Sequence, residues 1–184
     1  GIARKAVTNQ FTQKVDGWMN QINACTRDEE KVKKIHDIIA QNTTYGEVEA
    51  PDGGRISYDQ STYSMVCLGK TVCAGYAGTF HMLANAAGLP TIMVTSTSHA
   101  WNDVLVHGYW YGVDVTWDDP INDRPGHAQH TYFLLSDNAI QNLPSKHYDY
   151  TISYGANSTK YDNYEIHNFD TRLCEVNGEF YGFV

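Results

Sequence analysis

Gly69-Lys70-Thr71-Val72-Cys73-Ala74-Gly75-Tyr76, followed by Ser98-His99-Ala100-Trp101-Asn102 and Val113-Asp114-Val115-Thr116-Trp117, decides how this chain reads. The three stretches supply a thiol, an imidazole and a carboxylate in the order that a Cys-His-Asp nucleophilic site requires. A thiolate attacks an acyl carbon, the imidazole moves protons, and the carboxylate fixes the imidazole's tautomer and direction. Cys73 falls where a helix is predicted to begin, running through Phe80 and Leu83 to a C-terminal Gly88 and a stop at Pro90. Unpaired amides and the helix dipole at that position favour a thiolate. The small residues Ala74, Gly75, Ala77 and Gly78 are expected to leave room for a substrate backbone.

The β region after this helix gives an independent test. Thr91–Thr97 is rich in β-branched residues, and Trp101–Val106 and Tyr109–Thr116 flank the dipeptide His107-Gly108. A two-residue turn there pairs Val106 with Tyr109 and sets Asp114 opposite Trp101. His99 and Asp114 then form a diagonal pair on one face of the sheet, within reach of each other's side chains. A carboxylate in a strand as apolar as 111–117 needs a partner, because burying it unpaired is costly. Taken singly, Cys73 reads as a buried helix-start cysteine, His99 as a core histidine and Asp114 as a turn cap. Together, their spacing and facing favour chemistry.

Working outward, the helical spacing of Ile2, Val7, Phe11, Val15, Trp18 and Ile22 predicts an amphipathic helix. Thr26-Arg27-Asp28-Glu29 has the form of a capping box and opens a second helix with Val32, Ile35 and Ile39 inward, ending near Asn42. Residues 46–62 and 118–130 read as surface loops. Tyr132–Leu135 is expected as a strand, Asp137–Asn142 as a helical turn and the stretch from Gly178 as a hairpin. Gln60 and Tyr63 are candidate oxyanion donors; Trp101 and Asn102 are candidate pocket residues beside His99. His36, His81, His147 and His167 are expected to be core or surface residues without chemistry.

Composition excludes several classes. A formal charge of −8 over 184 residues argues against a nucleic-acid surface. No apolar run reaches the roughly 18 residues of a membrane span. Only 18% of residues are charged and 13 are tyrosine, a polar but weakly charged surface that suggests an extracellular or cell-surface setting. Four cysteines are too few for a disulfide scaffold in a chain of this length, though Cys25 and Cys174 remain a candidate pair beside Cys67. No metal or other cofactor is expected. His127 and His130, near Asp118, Asp119 and Asp123, lack a zinc pattern, residues 118–123 lack calcium-loop spacing, and Gly69-Lys70-Thr71 lacks the first glycine of a phosphate loop.

Lys31-Val32-Lys33-Lys34-Ile35-His36-Asp37 up to Tyr45, the three motifs above with Thr116-Trp117-Asp118-Asp119-Pro120, and Tyr132–Asp137 resemble the bacterial branch of the transglutaminase-like superfamily. The resemblance covers about residues 31–140. It implies an α+β fold of papain-like type, a helix bearing the nucleophilic cysteine packed on an antiparallel sheet, with catalytic roles for Cys73, His99 and Asp114. One domain is expected: a helical extension at 1–30, the core at 31–140 and a β-rich tail at 141–184 completing it. The family's activities include crosslinking of glutamine to lysine, deamidation and peptide hydrolysis, and some members are non-catalytic interaction modules. Hydrolysis of a protein or peptide substrate is the first expectation, since only Trp101 and Tyr63 are foreseen as aromatic walls and the groove should be wet. Crosslinking or deamidation comes second and a cell-surface binding module third.

Overall fold

An antiparallel sheet carries a cysteine-bearing helix on one face, and two further helices complete that layer. The computed structural model describes the backbone of residues 2–48, 58–121, 128–150, 155–164, 167, 174–176 and 179–181, and the side chains of 8–48, 59–121, 128–150, 155–164 and 167. In chain order come α1 (Ile2–Asn23), α2 (Asp28–Asn42), β1 (Thr44–Tyr45), β2 (Lys70–Thr71), α3 (Cys73–Ala86), β3 (Thr91–Thr95), β4 (Ala100–Val106) and β5 (Tyr109–Val113). A short α4 (Asp137–Gln141) and the strand pair β6 (Cys174–Val176) and β7 (Glu179–Tyr181) follow.

The helix ends follow local chemistry. α2 is capped one residue later than Thr26 predicts: Glu30 reaches back to accept from the amides of Thr26 at 3.3 Å and Arg27 at 3.1 Å. Val32, Ile35 and Ile39 are buried as expected, together with His36. α3 closes as a Schellman motif. Gly88 is left-handed (φ +81°), its amide donates to Asn85 O at 3.1 Å, and the Leu89 amide donates to Ala84 O at 2.9 Å. The first helix presents Trp18 and Ile22 to the core, with Phe11 and Val15 packed beside them.

The central sheet has the order β3-β4-β5, all antiparallel. Val106 pairs with Tyr109 and Asn102 with Val113, the register that the two-residue turn predicts. His107 (φ +49°) and Gly108 (φ +84°) both lie in the left-handed region, as a type I′ turn demands.

Two expectations fail and a third holds only in part. β5 ends at Val113 rather than Thr116, because Asp114 starts a turn: its carboxylate accepts from the Trp117 amide at 3.1 Å and its carbonyl from the Asp118 amide at 3.2 Å. Tyr132–Leu135 is not a strand. Leu134 has φ +52°, so only Leu135 bridges Gly112, while Tyr132 O accepts from the Asp114 amide at 2.9 Å. The described part of 118–130 is surface loop only in part: Ile121 and Gln129 are exposed, while Asp118, Ala128 and His130 are fully buried. His127 and Asp123, and most of 46–57, fall outside the described residues, as does the Cys174 side chain on which pairing with Cys25 depends.

Candidate active site

Cys73 opens α3, and the peptide before it is held on two sides. The Val72 amide donates to Asp59 O at 3.0 Å, and Thr71 Oγ1 donates to the same carbonyl. On the other side, Thr44 N donates to Gly69 O and Gly46 N to Thr71 O, each at 3.0 Å, stitching β1 to β2 in parallel. Gly69 (φ +66°) ends the π-helical turn Ser64–Leu68 and turns the chain into β2. The small residues of α3 serve packing more than substrate access. A Cβ on Gly75 would lie 1.8 Å from Thr71 Oγ1, and Ala77 is buried.

His99 lies one residue before β4, its amide donating to Ser96 Oγ at 3.1 Å and its carbonyl accepting from the Ser96 amide at 2.9 Å. Its Nε2 stands 2.6 Å from Asp114 Oδ2. With Asp114 ionised, Nε2 carries the proton and Nδ1 is left for the thiol. The electrostatics agree. Hydrogen bonding to His99 holds the Cys73 thiol below its ordinary range against the effect of burial, and the amides of Ala100 and Ala74 add to this. Burial opposes a charged His99, yet its bonds to Asp114 and Cys73 prevail and raise it to about 9. Burial likewise opposes ionisation of Asp114, and the hydrogen bonds from His147 and His99 outweigh it, holding the carboxylate below its usual value. These directions are those of a thiol and an imidazole that favour each other's charged forms beside a carboxylate.

The other candidates separate. Asn102 does not reach His99. Its side chain points to the helix layer, where Nδ2 donates to Ala77 O at 3.1 Å and Ile92 O at 3.2 Å, tying α3 to the sheet. Trp101 is buried behind His99, with ring centroids 5.8 Å apart, and does not line the cleft. Trp117 takes the wall position, stacked on His99 at 4.7 Å and 13°. Gln60 is exposed and ends the turn Tyr58–Gln60, one residue after the carbonyl that anchors Val72. Tyr63 is partly buried and directly precedes the π-helical turn.

Beside His99 opens a cleft of about 360 Å³, lined chiefly by Tyr45, Trp117, Pro120, Ile121 and Tyr132, with Thr116, Asp119 and Ser145 as its polar members. More aromatic wall is therefore present than the sequence suggests. The Tyr76 hydroxyl donates to Asp119, binding α3 to the cleft floor.

Two histidines expected to lack chemistry sit at the centre of networks. His147 Nε2 lies 2.9 Å from the same Asp114 Oδ2, and its ring lies 3.8 Å from Trp101. His36 Nε2 lies 2.9 Å from Asp118 Oδ2 and its Nδ1 3.1 Å from Asp37 Oδ1, which His130 Nε2 also meets at 2.7 Å. Among the described residues, His36, Asp37 and His130, and likewise His99, Asp114 and His147, are near enough to gather a metal ion. In both groups the carboxylate is already hydrogen-bonded by the two imidazoles, and the Lys33 ammonium also pairs with Asp37. The contacts of His147 with Asp114, of His36 with Asp118 and of His130 with Asp37 join residues 33, 82 and 93 positions apart, so no local pattern announces them.

A helix with a cysteine at its first turn, laid on an antiparallel sheet that brings up histidine and aspartate, is the papain-like transglutaminase core. The model of the transglutaminase-like superfamily matches residues 16–115, more than half the chain, and the chain belongs to that family. It is 29% identical over 112 residues to the kyphoscoliosis peptidases of Mus musculus and Homo sapiens. That match takes in 52% of this chain and only 17% of either peptidase. A solved TGase structure superposes with a TM-score of 0.50 at 21% identity, over 65% of this chain and 34% of the other, a likeness of fold.

Proposed function

We propose that the chain is a cysteine-dependent acyl transferase acting on amide bonds, with Cys73 as nucleophile, His99 as acid and base, and Asp114 orienting His99. The observation that carries this reading is the 2.6 Å bond between His99 Nε2 and Asp114 Oδ2, beside a helix-start thiol whose pKa His99 lowers. The Cys73 thiolate attacks the acyl carbon. The tetrahedral adduct collapses as the His99 imidazolium gives its proton to the departing amine, leaving a thioester. Water then attacks the thioester, His99 takes its proton, and the acid leaves with the thiolate and imidazolium restored. The amide of Cys73 and the side chain of Gln60 are the proposed oxyanion donors, since the turn carrying Gln60 is bonded to the residue before Cys73.

Hydrolysis of a protein or peptide is the primary reading, because the polar members of the cleft admit water. Transfer to an amine, giving crosslinks, is the second reading, favoured by the aromatic faces of Trp117, Tyr45 and Tyr132 in the cleft at His99, which limit the water that reaches that imidazole. An extracellular or cell-surface setting is proposed on composition. Mass spectrometry of a glutamine-containing peptide incubated with the protein and excess primary amine decides between the two. Cleavage or a gain of about one dalton marks hydrolysis, and a dominant amine adduct marks transfer. Neither product forming, or the same products forming with Cys73→Ala, overturns acyl transfer by this site.

A further inference from the structure

We infer that His147 is a positioning residue of this site, a second imidazole that fixes Asp114 at the same oxygen as its catalytic partner. The inference rests on the function proposed above. Asp114 Oδ2 receives His99 Nε2 at 2.6 Å and His147 Nε2 at 2.9 Å, while its Oδ1 receives the Trp117 amide at 3.1 Å. Three donors thereby fix the plane of one buried carboxylate. For both imidazoles to bond an ionised carboxylate through Nε2, each must carry its proton there. That tautomer of His99 leaves Nδ1 without a proton and able to accept from the Cys73 thiol.

The surroundings of His147 allow one ring orientation. Its ring lies between Trp101, at 3.8 Å and 10°, and Trp117, at 4.5 Å and 30°, and runs nearly parallel to His99 at 5.6 Å. The segment that delivers it is pinned on both sides. Tyr132 Oη donates to Ser145 O at 3.1 Å, and Gln141 Nε2 donates to His147 O at 3.2 Å and to Tyr150 Oη at 2.9 Å. His147 lies beyond residue 115, where the family match ends, so this support comes from a part of the chain outside the matched core. A merely structural histidine would need its ring stacking but not its N–H. A positioning histidine needs the N–H.

Two substitutions separate these roles: His147→Phe keeps a ring between the tryptophans without a donor, and His147→Gln keeps a donor where Nε2 stood. With p-nitrophenyl acetate as the acyl probe, His147→Phe should lower kcat about 10- to 100-fold with KM within about twofold, the usual cost of losing an orienting partner. His147→Gln should recover most of that loss. Wild-type kcat in His147→Phe, or a loss in His147→Gln as deep as in His147→Phe, overturns the inference. Side-chain nitrogen NMR of the wild type and Asp114→Asn decides it without either substitution. Both the His99 and His147 Nε2 signals should move, and movement of His99 alone overturns it. An absence of ester turnover by the wild type would count against the proposed function, and the NMR measurement would still decide the place of His147.

Discussion

The two oxygens of Asp114 accept from three donors. Oδ2 serves two imidazoles and Oδ1 a backbone amide, so the residue is both turn cap and imidazole anchor. Asp114→Asn would leave the turn's acceptor in place but present the wrong partner to His99 Nε2. The expected loss in kcat is several orders of magnitude, about 10⁴-fold where an aspartate sets the tautomer of a catalytic histidine. A loss below about tenfold in steady-state kinetics would show that orientation comes from elsewhere. The pH profile follows from the same pair. The proposed mechanism needs the Cys73 thiolate, so activity should rise as the thiol ionises below its ordinary range, and needs imidazolium, so activity should fall as His99 deprotonates near pH 9. A kcat/KM profile over pH 5–10 should be a bell with its alkaline limb near 9, and a limb near 6.5 would show His99 and Asp114 uncoupled. The motifs make the meeting of His99 with Asp114 and the helix start at Cys73 legible in the sequence. His147 is not, because nothing local distinguishes an imidazole delivered to Asp114 from 33 residues away.

Among the elements, α3 and the hairpin were readable because each is decided locally. Gly88 ends the helix, and His107-Gly108 fixes every pairing from Val106 back to Asn102. The end of β5 was not readable, because the Asp114 backbone pairs across to Tyr132 while its carboxylate turns the chain. What holds α3 on the sheet at the level of the site is Asn102, whose single amide nitrogen serves the helix at Ala77 O and the edge strand at Ile92 O. Asn102→Leu strips both carbonyls of that donor in a buried place and should cost about 1–3 kcal/mol in urea unfolding. An effect below about 0.5 kcal/mol would show that the carbonyls find other donors. Gly75→Ala tests the approach of α3 to β2. The new methyl would fall on Thr71 Oγ1, and the overpacking should cost about 1–3 kcal/mol, with Thr71→Ala relieving part of it.

Across the whole molecule, the buried network at His36 joins α2 to the loop that follows the site. His36 binds Asp118, whose carboxylate accepts from the Tyr132 amide at 2.9 Å, and Tyr132 in turn accepts from the Asp114 amide. The sequence marked these residues only as histidines and aspartates in a helix and a loop. Pairing between residues 36 and 118 appears only once the chain folds. Burial opposes protonation of His36, but its bonds to Asp118 and Asp37 prevail and raise it to about 9, above its unfolded value of 6.5. A group raised in this way binds its proton more tightly folded than unfolded. Its contribution is therefore complete below pH 6.5 and disappears as the pH climbs through 9. Asp37 runs the other way. Burial opposes its charge, the bonds from His130 and His36 overcome that, and its contribution is present above its unfolded value of 3.8 and lost as the pH falls further. Unfolding free energy should thus form a plateau through mildly acidic pH and decline on the alkaline side, with an upper bound of about 3 kcal/mol from His36. Urea unfolding of the wild type and His36→Gln at pH 6 and pH 9.5 isolates that part, because His99 titrates in both proteins. The stability gap between the two should narrow at the higher pH. A gap that stays constant would mean that His36 is neutral in the folded protein and that Asp118 holds the shared proton.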